Sequence, residues 1–490
     1  MNRHNFIGHL ALALSVILLA AFIGQMRHWQ HEHQNAAPAP QTETVSTDER
    51  EDTEEAEQGE TGDESEGGAH VLVRFKQGTS VEAIESIAAS HHDDVLDEVE
   101  AVSGLAVIED EDGLSAESVA EEYRALPGVE YAEPDYQIKL EPELGEVRHF
   151  NSSEEVAAAR LNGPNDPMFA EQWALQNTGQ DGGKAGADVS ALRAWEKTKG
   201  SERVVVAVLD SGVDYTHPDL INNIWVRPPD MAAYSDEELG EFDDVHGFSA
   251  IGGEEDADDD PMDQNGHGTH CAGIVGAEGD NGEGIAGINW KVEIMPLKFM
   301  NANGSGTTAD AVKAINYVIN RKRAGVNVRV ISASWGSTMK SKALEDVIRK
   351  AGDEGILFVA AAGNSSADSD KSPHYPAGYD LPNVISVAAL DRSDQLASFS
   401  NYGARSVHVA APGAQILSTW LKGSFEEHSG TSMATPLVAG EAALILSAEP
   451  NLSVKELRER ILGAVDKLDA LNGKVVSGGR INAAKAVKAE

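Results

Sequence analysis

The stretch Val204-Val205-Val206-Ala207-Val208-Leu209-Asp210-Ser211-Gly212 decides the fold. Its six leading residues are all apolar and lack the alternation of a half-solvated strand. Such a run suits a strand buried on both faces, as in a parallel sheet covered by helices on each side. Asp210 closes the run and Ser211-Gly212 supplies a turn. Glu293 to Phe299, Val328 to Ala333, Leu357 to Ala362 and Val384 to Ala389 read the same way. Ala309 to Arg323, Lys342 to Gly352 and Ser453 to Val465 carry amphipathic helical periods, while Met433 to Ser447 is nearly all apolar and small, as a central buried helix would be. The expected class is therefore α/β, a three-layer domain with a central parallel sheet over residues 165–490.

In such folds ligands bind beyond the carboxyl ends of the strands, so a polar residue that ends a buried run is a first candidate. Asp210 is one, although a lone Asp there also serves as a helix cap or turn former. Asn265-Gly266-His267-Gly268-Thr269-His270 sets a histidine between two glycines and leads into the small-residue helix that begins at Cys271. Glycine on both sides allows close approach of backbone or substrate; a structural histidine is the alternative. Zinc is disfavoured, because His267 and His270 are spaced i,i+3, the HExxH glutamate is missing and no third ligand is evident. Gly430-Thr431-Ser432-Met433-Ala434-Thr435-Pro436 opens the buried helix, with Pro436 expected in its first turn. A helix start offers unpaired N–H groups, so Ser432 stands either as a nucleophile beside an oxyanion donor or as an N-cap. No glycine follows two residues after Ser432, which argues against the nucleophile elbow of α/β-hydrolases. Ala360-Ala361-Ala362-Gly363-Asn364 ends a buried strand in an amide, either an oxyanion donor or a turn residue.

The 490 residues carry a formal charge of −43, which repels phosphate backbones and anionic lipid; nucleic acid is not an expected partner. The single cysteine, Cys271, excludes an intramolecular disulfide. Arg3 and His4 precede an apolar run from Phe6 to Gly24, read as an export signal over 1–26, either cleaved or kept as an anchor. Residues 27–69 are dense in Glu and Asp and read as a solvated, disordered tether. From 70 to 140 the order is βαββαβ, a ferredoxin-like α+β unit: a strand at Val71-Leu72-Val73-Arg74-Phe75, a helix over Val81 to Ser90, strands over Val95 to Val102 and Leu105 to Ile108, a helix over Ala116 to Leu126, and a strand over Val129 to Ala132. Residues 141–164 show no convincing period and suit an exposed connection, where proteases cut.

The four motifs, Val-Leu-Asp210-Ser-Gly, Asn-Gly-His267-Gly-Thr-His-Cys, Ala-Ala-Gly-Asn364 and Gly-Thr-Ser432-Met-Ala-Thr-Pro, resemble those of subtilases, in pattern the thermitase-like branch of the subtilisin superfamily. The resemblance runs from His70 to the end and implies a subtilisin-like serine endopeptidase made as a precursor. It implies Ser432 as nucleophile, His267 as general base and then acid, Asp210 as the group orienting the imidazole, and Asn364 in the oxyanion hole. It further implies that Ser334-Trp335-Gly336 and Gly304-Ser305-Gly306 clasp an extended peptide, with Ala361, Ala362 and Gly363 on a pocket wall. The unit at 70–140 resembles the family's inhibitory and folding-assisting propeptide. Structural Ca2+ is the implied cofactor. One site would use Asp166, Asp219 and Asn281 with oxygens of Glu278, Glu283 and Ile285; a weaker one would use Asp256, Asp258, Asp260 and Asp263, whose spacing departs from the family pattern. Cys271 resembles the free thiol of cysteine-bearing subtilases and is expected to be buried and inert. The expected partners are polypeptide substrates and the chain's own propeptide. The expected product is a monomeric enzyme, secreted or held at the cell envelope. Main-chain pairing implies broad specificity, with a narrow maturation protease at the cell envelope as the alternative within the same chemistry; an inactive subtilase acting as a scaffold is the alternative of another class, against which stands the presence of all four reactive residues.

Overall fold

The computed structural model of the chain describes residues 68–142, 144–145, 147–150, 163–236, 240–251 and 260–489. The apolar leader, the acidic tether up to residue 67, and Asp256 and Asp258 lie outside them.

The first described unit has the order β1 (His70–Phe75), α1 (Val81–Ser90), β2 (Asp93–Glu98), β3 (Leu105–Asp110), α2 (Ala116–Arg124) and β4 (Val129–Pro134), with its sheet in the order β2-β3-β1-β4. This is the expected βαββαβ unit. Alternation divides its strands between two cores. Val71, Val73, Ala106 and Ile108 pack under α1 and α2 with Ile84, Val119 and Tyr123, while Leu72, Leu105 and Val107 face the other way, into a core shared with the following domain. Val99 to Val102, expected as strand, departs from the sheet because its apolar side chains belong to that second core; the Ala101 N–H donates to Asn316 Oδ1 of the next domain at 3.0 Å.

Two short strands follow that sheet, one at the end of the first unit and one in the connection. β5 (Gln137–Lys139) and β6 (Arg148–Phe150) each add to an element of the following domain. Within the connection expected to be exposed over 141–164, Arg148–Phe150 pairs with a strand of the large domain and buries Phe150; three residues are too few to show a period, and their partner lies far along the chain.

The large domain holds β7 (Gly200–Asp210), β8 (Phe248–Ser249), α3 (His267–Gly276), β9 (Lys291–Lys298), β10 (Ser305–Thr307), α4 (Thr308–Arg323), β11 (Val328–Ala333), α5 (Lys342–Asp353), β12 (Leu357–Ala361), β13 (Val384–Leu390), β14 (Val409–Pro412), β15 (Ile416–Trp420), β16 (Ser424–His428), α6 (Thr431–Ala448), α7 (Val454–Gly463), β17 (Val465–Lys467) and β18 (Gly479–Ile481). The central sheet runs β8-β9-β7-β11-β12-β13-β14-β18-β17, parallel except for its final pair. Alternate residues of β7 feed opposite layers. Val204, Val206 and Val208 pack with α3 and α6, and Val205, Ala207 and Leu209 pack with α4 and α5. Each fully buried Val side chain contributes about 1.5–3 kcal/mol, so a charge at position 206 would break both the layer and the strand that ends in Asp210.

Candidate active site

Three neighbouring parallel strands, β7, β11 and β12, end side by side. Their carboxyl ends deliver Asp210, then Ser334-Trp335-Gly336, then Ala361-Ala362-Gly363-Asn364 to one edge of the sheet. Trp335 is anchored there by donating its indole N–H to Leu209 O at 2.8 Å.

His267 opens α3, and its Nδ1 lies 2.7 Å from Asp210 Oδ1. Asp210 is buried, whereas the histidine retains 16% of its side-chain exposure, enough for a substrate to reach the ring. The histidine is held by the loop before it. Asp263 Oδ1 accepts from Ser211 Oγ and from the N–H groups of Asn265 and Gly266; Asp263 Oδ2 accepts from the N–H and hydroxyl of Thr269, all at 2.6–3.0 Å. Ser211 Oγ in turn accepts from the Gly268 N–H at 3.0 Å. Gly266 has φ +110°, and a Cβ there would strike the Trp420 ring at 2.4 Å, so only glycine fits. The expectation of Asp263 as a calcium ligand is therefore corrected: both oxygens are engaged in fixing the histidine loop. Asp260 accepts from Tyr215 OH and the Met262 N–H.

His270 points away from His267, its Nε2 3.0–3.1 Å from the carbonyls of Ile416 and Glu426. Burial, and then the neighbouring His428, hold it neutral.

Ser432 is the second residue of α6, and its hydroxyl donates to Ser334 O at 2.9 Å. Pro436 is not in the first turn, as the sequence suggested. It stands at the sixth helical position, where its missing N–H leaves Ser432 O without an intrahelical donor. That carbonyl accepts instead from Ser334 Oγ at 2.8 Å and lies 3.6 Å from Cys271 Sγ. The proline thus ties the serine to β11 and α3. Burial, and then the Asp210 charge, push the Cys271 thiol well up, consistent with an inert group; atoms of Asp210, His267 and Cys271 all lie within 4.8 Å of one another.

Asn364 Oδ1 accepts from both the N–H and the hydroxyl of Thr431, at 2.8 and 2.9 Å, which fixes the amide against the start of α6. Its Nδ2 lies 3.4 Å from where a Gly430 side chain would begin. A donor and a helix N-terminus therefore flank one hydroxyl, the arrangement that stabilises an oxyanion.

β5 pairs antiparallel with β10, placing Lys139 opposite Ser305, Ile138 opposite Gly306 and Gln137 opposite Thr307. The pairing continues as the Leu140 N–H donates to Gly304 O at 2.9 Å. The next residue, Glu141, places Oε1 3.2 Å from the Asn364 backbone N–H and 3.7 Å from His374 Nε2. His374 was not singled out from the sequence, because Ser-Pro-His-Tyr-Pro ends no buried run; the pairing of Ser337 with Tyr375 brings it in.

The residues of the first expected calcium site converge away from this edge. Asp166 Oδ2 accepts from the Asp280 N–H, and Asp219 accepts from Asn281 Nδ2 and the Ile285 N–H, each at 2.8 Å. Glu278 and Glu283 join the same loop through Glu278 N–H to Asp219 O and Glu283 N–H to Asn281 Oδ1. Burial, and then the Asp280 charge, push Asp166 up to about 6; burial, and then Asp166 and Glu283, push Asp219 up to about 7. Asp166 Oδ1 is buried without a hydrogen-bond partner. Two mutually repelling carboxylates with an orphaned oxygen are a donor set that fits a hard cation.

Residues 201–478 match the subtilase family, and residues 67–135 match the fervidolysin N-terminal prodomain. The chain is 37% identical over 374 residues to a thermophilic serine proteinase of Bacillus sp. (strain AK1), covering 76% of each. It is 36% identical over 326 residues to thermitase of Thermoactinomyces vulgaris, covering 66% of this chain and 99% of that one. Halolysin of Haloferax mediterranei is 34% identical over 324 residues, 66% of this chain and 54% of its own length.

Proposed function

This chain belongs to the subtilase family of serine peptidases, and from that premise we propose that Asp210, His267 and Ser432 are its catalytic triad in an exported endopeptidase. The single observation that carries the assignment is the 2.7 Å Asp210–His267 pair, with Ser432 opening α6 and its backbone carbonyl 3.6 Å from Cys271 Sγ of the helix that His267 begins. His267 takes the Ser432 proton as Oγ attacks the substrate carbonyl carbon, then passes it to the leaving amine; water repeats the sequence on the acyl-enzyme. Asp210 orients the ring and stabilises the imidazolium. Asn364 Nδ2 and the Ser432 N–H hold the oxyanion, and loss of that amide costs about 3 kcal/mol of transition-state stabilisation. Substrate enters as an extended strand against Gly304–Gly306 and Ser334–Gly336, a pairing that reads main chain. Ca2+ held by Asp166, Asp219 and Asn281 would supply only structural charge neutralisation.

The fervidolysin-type prodomain makes the product a zymogen whose cleft is filled by 137–141. Its processing bond falls within 142–147. Two features support this: Glu141 lies in the cleft, while Arg148–Phe150 belongs to a sheet with β16. N-terminal sequencing of the mature enzyme tests the boundary, and a first residue before 143 or after 148 would refute it. A fluorophosphonate probe tests the chemistry: the processed chain is labelled at Ser432, and Ser432→Ala stays full length, unlabelled and inactive. No labelling of processed wild type would favour the inactive scaffold.

A further inference from the structure

The main-chain clasp leaves open which side chain the cleft selects, and the surroundings of Glu141 bear on that. His374 is wedged between the strand ends at Ser334–Gly336 and Ala361–Gly363. A Cβ on Gly336 would lie 2.3 Å from His374 Cε1, and one on Gly363 would lie 3.1 Å from His374 Cγ. The imidazole therefore fills the slot between them: a side chain at 336 would strike it, and it packs closely against Gly363. Its backbone is pinned, since the Gly378 N–H donates to His374 O at 2.7 Å and the adjacent Tyr375 exchanges two 2.8 Å hydrogen bonds with Ser337. The ring keeps only 9% of its side-chain exposure, so it presents little beyond one edge to the cleft.

The occupant of the slot is a carboxylate. Leu140 is the last residue paired with the clasping strand, and Glu141 directs its side chain between the walls, where Oε1 meets the Asn364 N–H at 3.2 Å and the His374 Nε2 edge at 3.7 Å. An apolar side chain in that position would leave the Asn364 backbone N–H facing it without an acceptor, the kind of mismatch by which a polar site rejects an analogue. A carboxylate satisfies that N–H directly, and its charge favours the protonated imidazole against the burial that otherwise lowers the pKa of His374.

We infer that the slot between Ser334–Gly336 and Ala361–Gly363 selects an acidic substrate side chain immediately before the cleaved bond, with His374 at its floor as the specificity-determining residue. This rests on the peptidase reading above and names its substrate class: polypeptides cut after glutamate, and aspartate to the extent that its shorter side chain reaches. Glu141 itself is an uncut occupant. The nitrogen that follows belongs to Pro142, which bears no hydrogen and sits in a ring that crowds the leaving group.

The test is a series of fluorogenic peptides, identical except for Glu, Gln, Leu or Phe before the scissile bond, given to processed wild-type enzyme and to His374→Ala and His374→Asn variants. Active sites are counted first by fluorophosphonate titration. Wild type should favour Glu over Gln and over the apolar residues by at least roughly tenfold in kcat/KM, the scale of one charge-assisted hydrogen bond. The Glu:Gln ratio should fall toward unity in a labelled variant. A wild-type optimum at Leu or Phe, or a ratio unchanged by either substitution, overturns the inference. If neither variant is labelled, the wild-type profile alone decides. Processed wild type that takes up no probe refutes the peptidase reading instead, so the two failures are distinguishable.

Discussion

At the scale of one residue, Glu441 conflicts with its surroundings. It lies wholly buried in α6, and neither carboxyl oxygen has a hydrogen-bond partner among the described residues. Burial pushes its carboxyl well above the ordinary range. It therefore folds protonated, and an acid whose folded pKa is raised confers stability present below about pH 4.5 and lost as pH rises, because the unfolded chain releases a proton that the folded one keeps. Glu441→Met should raise stability by about 1–3 kcal/mol at neutral pH, with a smaller gain at pH 4. Thermal melts at the two pH values measure this; a lower melting temperature at both would mean that the carboxyl is doing structural work. Asp263 presents the opposite case. Asp263→Ala removes the acceptor of five hydrogen bonds around the histidine loop, so a loss of about 3 kcal/mol is expected, together with a fall in kcat at unchanged fluorophosphonate stoichiometry. Asp210, His267, Ser432 and Asn364 could be picked out in the sequence because each ends a buried run or opens a helix. Asp263 was visible but misassigned, since an aspartate near a glycine-rich loop has the same spacing as ligand or as cap. His374 gave no signal, as its place depends on a bridge formed after folding.

At the scale of elements, the prodomain grips the domain by its helix starts. Glu133 accepts from Ser341 Oγ and from the N–H groups of Lys342 and Ala343 at 2.6–2.9 Å, capping α5. Asp135 accepts from the Ala309 N–H at 2.8 Å, in the first turn of α4. Both carboxylates thus sit where the helix dipole favours them. They differ in one respect. Burial, and then the Asp310 charge, push Asp135 up to about 7 in the docked state, against the pull of the Ala309 N–H, Thr307 and Lys313. Released prodomain would lose that proton near pH 4, so docking should weaken as pH rises from about 4 to about 7, by up to about tenfold per unit. Coelution of the cut prodomain with the peptidase should therefore be complete at pH 5 and partial at pH 8, and Asp135→Asn should coelute equally at both. A difference that survives the substitution would rule out Asp135 as its source. The helices and central strands were legible because their apolar periods extend over many residues. The short strands at Gln137–Lys139 and Arg148–Phe150 were not, because main-chain pairing leaves no mark in three side chains.

At the scale of the molecule, the apolar runs marked strands as buried but not what would cover them. Leu72 and Val107 lie on prodomain strands, yet they face the shared core with Leu209 and Ile315. The loop proposed to hold calcium is another case of long-range assembly, since Asp166, Asp219 and Asn281 meet only once the domain folds. Without a cation, Asp166 and Asp219 fold with carboxyls raised to about 6 and about 7, chiefly by burial. Their contribution to stability is then present below about pH 3.8 and lost as pH rises through about 7, where two neighbouring anions must be held together. A bound divalent cation reverses the sign, because it favours the deprotonated pair. The gain in melting temperature of calcium-loaded over chelator-treated enzyme should therefore be small at pH 4–5, grow through pH 6–7 and level off above. Asp219→Asn should remove most of the calcium-dependent gain while stabilising the chelated form at pH 8, as one of the two repelling charges is gone. A calcium effect equal at pH 5 and pH 8, or one that outlasts Asp219→Asn, would move the stabilising ion to some other part of the chain.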